Sequence, residues 1–236
     1  MNRRIEAPRP SLEVGERIDM QVFWIGIPVG EGSLEVSEKI IRDGRPAYHL
    51  IATARTNDFL SKIYPVEDRL ESFMDAERFC SLGFRKTVRE GRYRADEEIR
   101  YDYENGKVIY HSFKNASQKT FAVQGPVHDI LSAFYWFRLQ PVQCGQSVHT
   151  LVNDEERNWE LQLEALRIEI KEFKGARVLE TFLVEPRTRL KGVLYRRGRA
   201  WVNFTTDSKR TPISIRISTP FGPIMGILDR IPRTDT

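Results

Sequence analysis

From Glu16 onward the chain is interrupted about every ten residues by Gly, Pro, Asn or Asp, and the stretches between are short and rich in β-branched and aromatic residues. Arg17–Ile25, Ser33–Ile41, Ala47–Ala54, Arg69–Met74, Phe79–Val88, Arg92–Tyr103 and Lys107–Lys114 read as strands in the first half. Gln146–Asn153, Trp159–Lys171, Arg177–Val184, Leu190–Tyr195, Ala200–Thr205, Ile213–Ser218 and Ile224–Leu228 read so in the second. A chain of this kind is mainly β and antiparallel. About twelve strands do not lie flat in one sheet, so a single curved sheet forming a barrel or half-barrel is expected.

One segment departs from the rhythm. Val127, Ile130, Leu131, Phe134 and Phe137 recur at helical spacing, with Pro126 at the expected start, Asp129 in the first turn and Pro141 beyond the end. A single short amphipathic helix follows, expected to cover the concave side of the sheet because both apolar surfaces need a partner. Asn57–Ile63 is expected to hold one further helical turn, capped by Asn or Asp and stopped by Pro65. Within Trp159–Lys171 the apolar alternation changes phase: Trp159, Leu161 and Leu163 are followed by Leu166, Ile168 and Ile170. A phase slip inside one strand predicts a β-bulge. Gly30 and Gly32 are expected to bracket a turn or bulge, and Asn105-Gly106 a type I′ hairpin turn. Residues 1–15 and 230–236 read as tails around a single domain at 16–229.

The net charge of +4 is mild, but it is unevenly placed. Arg187–Arg216 holds nine basic residues and one acid, Asp207. Within it, Arg196, Arg197, Arg199, Lys209 and Arg210 are candidates for contact with an anionic partner such as a lipid headgroup. No nucleic-acid-binding pattern accompanies the charge, so nucleic acid is not expected as a partner. No stretch is long and apolar enough for a transmembrane helix. Cys80 and Cys144 lack the spacing of a metal site; two separate buried thiols are expected, with a disulfide as the alternative.

Catalytic signatures are absent from the sequence. There is no GxSxG, no glycine-rich phosphate loop, and no HxH, HxxxH or HExxH. His128-Asp129 reads as helix-end chemistry rather than a catalytic pair. Carboxylate pairs such as Glu67-Asp68 and Glu97-Glu98 read as solvated charge. No cofactor and no metal are expected. Trp24, Ile130, Phe134, Trp136, Phe137 and Trp201 are candidate ligand-binding residues, because a curved sheet lidded by a helix can enclose an apolar cavity.

Three stretches carry a family resemblance. Trp24–Leu34 has an aromatic strand entering a glycine-containing turn. His128–Arg138 has an Asp-(apolar)-Leu-Ser helix ending in Arg. Trp201–Pro212 has a Trp…Asp-x-x-Arg-x-Pro turn. In this order they resemble the bacterial family catalogued as domain of unknown function 3108, over about residues 16–229. The resemblance implies a mostly β, exported envelope protein with no established activity, hence a periplasmic or cell-envelope setting. The N-terminus as given carries no secretory signal, and a cytoplasmic setting is the alternative. Asp129, Ser132, Arg138, Asp207 and Arg210 read as structure-fixing groups. The functional expectation is a non-enzymatic protein binding an apolar or amphipathic, lipid-like ligand. The alternative is an interaction module docking an envelope protein or glycan, with a hydrolase behind both.

Overall fold

The computed structural model describes residues 11–154, 157–173, 177–188 and 199–230. The first half comprises β1 (Arg17–Trp24), β2 (Ile27–Arg42), β3 (Arg45–Thr56), α1 (Asp58–Ser61), β4 (Glu67–Asp75), β5 (Ser81–Glu90), β6 (Tyr93–Asp102), β7 (Lys107–Ser112) and β8 (Ser117–Ala122). After α2 (Ile130–Arg138) come β9 (Ser147–Asp154), β10 (Arg157–Phe173), β11 (Arg177–Thr188), β12 (Ala200–Thr205), β13 (Pro212–Thr219) and β14 (Gly222–Leu228). All fourteen strands form one antiparallel sheet, ordered β8-β7-β6-β5-β4-β3-β2-β1-β14-β13-β12-β11-β10-β9. Each strand lies beside its neighbours in sequence, with one exception. The first strand pairs with the last, and the sheet stays open between β8 and β9, where α2 is inserted.

Pairing rows show which residues share a face. Ile18, Leu34, Ala52, Leu70 and Lys86 lie opposite one another across β1–β5, on the face that meets α2. Asp19, Ser33, Thr53, Arg69 and Thr87 form the neighbouring row, on the opposite face. Apolar in, polar out is the alternation that the strand segments carry in sequence.

α2 is a wedge between two cores. On one side Leu131 and Tyr135 pack with Val36, Tyr48, Leu50, Met74 and Ile99. On the other, Ala133 and Phe137 pack with Leu161, Leu163, Val184, Val202 and Phe204. Phe134 and Trp136 touch both. Burial of each large side chain contributes about 1.5–3 kcal/mol, which makes α2 the joint that unites the halves. Leu12, which the sequence places in a tail, is buried in the first core.

Several expectations are met in detail. The register of β10 against β11 shifts between Ala165 and Arg167, where the apolar phase slips. Beyond this bulge Ile168 and Ile170 lie opposite Phe182 and Glu180, on the same face as Leu161 and Leu163, and are exposed. α1 is capped by Asn57, whose side chain accepts the Leu60 N–H at 2.9 Å.

Others are corrected. β8, a polar edge strand without an apolar alternation to reveal it, joins the sheet and brings it to fourteen strands among the described residues. α2 begins at Ile130, because Asp129 is its cap and His128 is extended, paired with Val152 of β9. Gly30 and Gly32 lie within β2 rather than at a turn. A Cβ on Gly30 would collide with the Arg55 carbonyl of β3, so glycine allows the strands to approach there. The positive-φ pairs that a type I′ turn requires occur at Ile25-Gly26 and Asp43-Gly44. At Asn105-Gly106 only the glycine has positive φ, and Asp102 fixes the turn by accepting the Asn105 N–H. β12 pairs with Thr181–Val184 of β11, whereas the expected partner, Leu190–Tyr195, lies outside the described residues, as does the Lys174-Gly175 turn. Cys80 is buried and Cys144 exposed, both as free thiols.

Candidate functional site

The family-like residues converge on the two ends of α2. At its N-terminus, Asp129 Oδ1 accepts the N–H groups of Leu131 (2.8 Å) and Ser132 (2.9 Å), while the Ser132 hydroxyl accepts the Asp129 N–H (3.0 Å). This is a reciprocal capping box. Asp129 Oδ2 also accepts the Ser72 hydroxyl of β4 at 2.6 Å. Burial pushes the Asp129 carboxyl upward, and hydrogen bonds from Ser72, Ser81 and Ser132 offset only part of that shift.

At the C-terminus, Arg138 grips both oxygens of Glu16 at 2.7 and 2.6 Å, with both side chains almost fully buried. It also donates to the backbone carbonyls of Lys209 (3.0 Å) and Arg210 (3.1 Å). Asp207 shapes that turn by accepting the N–H groups of Lys209 and Arg210 and the Thr205 hydroxyl. Arg210, held at φ +44°, reaches back to the Gln140 and Val142 carbonyls just past α2. Thus the Asp…Ser…Arg helix and the Asp-x-x-Arg turn are two halves of one fastening. Glu16, its third member, lies 122 residues from Arg138, and sequence spacing offers no sign of the pairing.

Beneath α2 the space is nearly filled. The cavity there is about 60 Å³, lined by Phe84, Lys86, Glu97, Ile99, Asp129, Ile130 and Asn153. Lys86 and Glu97 meet across it at 2.5 Å. His128 is buried beside Trp136, with ring centroids 5.2 Å apart, and its Nδ1 has no hydrogen-bond partner. Burial lowers its pKa to about 4, so it is neutral in the folded protein near pH 7.

The sequence-derived candidates separate into several places. Phe134 and Phe137 pack on Phe204, at 5.3 and 5.2 Å between centroids, and Trp136 lies in the same wedge. Ile130 is half-exposed at the small cavity. Trp24 is distant in the fold, at the β1–β2 turn, its indole N–H donating to the Phe221 carbonyl at 2.9 Å. Trp201 is held between the Arg199 and Arg216 guanidiniums, 4.7 and 4.4 Å from its ring. The basic candidates do not form one patch. Arg199 pairs with Glu185, Lys209 with Glu13, and Arg210 is occupied by the carbonyls at the end of α2. Arg196 and Arg197 lie outside the described residues.

A large concavity opens on the face opposite α2. It is a trough of about 1380 Å³ running from Asp229 and Arg230, just past β14, across β1, β2, β3, β4 and β5. Its walls carry five arginines and five carboxylates, arranged largely in couples such as Arg17–Asp19, Arg55–Glu31 and Arg89–Glu67. Ser33, Thr53 and Thr87 lie among these charges, while Met20, Gly32 and Ala54, which also border the trough, belong by register to the face of Ile18, Leu34 and Ala52. Glu67 and Asp68 belong to this lining, and Glu67 is exposed, as the reading of solvated charge expects. Cross-strand register brings the opposite charges together, which sequence order alone does not reveal.

Elsewhere on the outer face, His49 Nε2 lies 3.0 Å from Glu71 Oε1, its ring stacked on Phe73. Among the described residues no three His, Cys, Asp or Glu side chains gather at metal-binding range, and no helix is long and apolar enough to cross a membrane.

An open, fourteen-stranded antiparallel sheet plugged by one fastened helix defines a β-barrel-like class of protein. The family model described as protein of unknown function (DUF3108) matches residues 17–229, and the chain belongs to this family. The fold is similar to the crystal structure of a β-barrel-like protein of domain of unknown function DUF1849 from Brucella abortus. The TM-score is 0.57 at 12% identity, covering 93% of this chain and 98% of the other. No curated protein matches the chain.

Proposed function

We propose that this is a non-enzymatic cell-envelope protein that binds an amphipathic partner in the trough on the outer face of its sheet. The observation that carries this reading is the contrast in space: about 1380 Å³ in the trough against about 60 Å³ beneath α2. The small cavity is crossed by an ion pair, and an acyl chain placed there would have to displace the wedge that unites the two cores. The trough instead offers charged couples with Ser33, Thr53 and Thr87 among them, and the hydrocarbon stems of its arginines supply apolar surface. These suit a ligand with both polar and apolar groups, such as a glycan-bearing lipid or an extended peptide. The envelope setting is supported by the family resemblance. A non-enzymatic reading is supported by the use of the motif residues in holding α2.

Photo-crosslinking tests this. A photoreactive residue at Thr53 in the trough is expected to capture a ligand or partner from cell envelopes, while one at Ile130 beside the small cavity captures none. Native mass spectrometry with lipid extraction identifies the bound species. Capture at Ile130 alone would return the ligand to the space beneath α2 and overturn the trough reading.

A further inference from the structure

Four consecutive turns along one margin of the sheet carry large apolar side chains into solvent. Phe221 crowns the β13–β14 turn at 80% exposure, and Trp24 and Ile27 flank the β1–β2 turn. Phe59 (76%) and Ile63 (72%) project from the α1 connection between β3 and β4, and Tyr93 begins β6 after the β5–β6 turn. These turns touch one another. The Ile25 N–H donates to the Pro223 carbonyl, Asn57 bonds to Val29 and Pro28, and Gly91 N–H donates to Pro65. The margin spans eight adjacent strands, roughly 35 Å along the sheet.

We infer that this margin docks onto the surface of an anionic phospholipid bilayer. Several polar groups at the β13–β14 tip are already bonded. Phe221 N–H donates to the Thr219 hydroxyl, and that hydroxyl donates to the Gly222 carbonyl. The Trp24 indole N–H is satisfied by Phe221 as well. These bonds lower the cost of bringing that tip into an apolar layer, where an unbonded polar group is the main obstacle to placing a turn. Trp and Tyr suit the headgroup level. Around the tips stand the exposed cations Lys62, Arg92, Arg199 and Arg216, against Asp58, Glu90 and the Glu185 that pairs with Arg199. This excess complements anionic headgroups. Apolar groups set on separate tips suit a fluid layer, which conforms to each, better than a rigid protein surface, which needs a continuous close-packed patch.

The inference does not rest on the trough reading. Its test is flotation of the purified chain with vesicles of phosphatidylcholine alone or with about 30% phosphatidylglycerol. Binding is expected to the anionic vesicles and to weaken with salt. The combined Phe59→Ser, Ile63→Ser and Phe221→Ser variant is expected to lose at least about tenfold in partitioning. Its fold is checked by circular dichroism and its thermal transition. Ile41→Ser, also exposed but at the other margin, is expected to bind as the parent does. No binding to anionic vesicles, or binding unchanged in the combined variant, would overturn the inference.

Discussion

Along the margin where β12 turns into β13 and the chain enters β1, polar side chains are committed to holding backbone. Asp207 organises one turn, Asp75 accepts the Glu77 and Arg78 N–H groups at another, and Asp102 fixes a third. Arg138 and Glu16 join this margin to α2. Along the opposite margin the β13–β14, β1–β2 and α1 turns close mainly through backbone bonds and short hydroxyl or amide contacts, and their large side chains point to water. One sheet thus has a margin where its side chains act inward and another where they act outward. Substitutions in the first should register as stability, and in the second as adhesion.

The sharpest way to break this contrast is Arg138→Ala. It leaves Glu16 charged and buried without its partner, so a loss of about 3–5 kcal/mol is expected in urea unfolding. Glu16→Ala should cost a similar amount, and the double variant less than the sum.

His128 provides a pH-dependent version. Its folded pKa of about 4 lies below the ordinary 6.5, so the unfolded chain takes up the proton first. Its contribution is therefore intact above about pH 6.5, declines as pH falls toward 4, and is flat below that. Unfolding curves for the parent should lose about 3 kcal/mol more between pH 7 and pH 4 than those for His128→Leu.

Asp129→Ala removes both bonds of the cap and leaves the Ser72 hydroxyl without its acceptor. About 2 kcal/mol is expected, read in the same assay. The smallest effect belongs to the other margin. Phe59→Ser and Ile63→Ser should each change stability by no more than about 0.5 kcal/mol, since both side chains already stand in water. A larger loss would mean that these residues support the fold, and would erase the distinction.

What the sequence discloses follows the range of the interaction. The bulge in β10 was legible because the alternation of Leu161 and Leu163 against Leu166 and Ile168 is local. The Asn57 cap and the wedge character of α2 were legible for the same reason. The structural reading of Asp129, Ser132, Arg138, Asp207 and Arg210 was also available, since short acids and arginines beside helix ends and turns meet backbone groups. The partnership of Arg138 with Glu16 was not, because nothing between them in the chain sets their distance. Nor was the trough. Arg55 faces Glu31, and Arg89 faces Glu67, only once the registers of β2–β3 and β4–β5 are fixed. Trp24 and Trp201 looked like companions of the α2 aromatics because composition counts rings without their facing. The structure places Trp24 at a turn and Trp201 between two arginines.

The pairing of β1 with β14 has a consequence for how the molecule comes into being. The N-terminal strand waits for the C-terminal one, so the middle of the sheet is the last part that can be sealed as the chain emerges in order. Until then β1 presents an unpaired edge, and Ile18 and Met20 lack Leu228 and Ile213 as neighbours. Loss of the final strand alone would leave two open half-sheets, each with a raw flank where the other belongs, and such a chain would be inclined to join with its own copies.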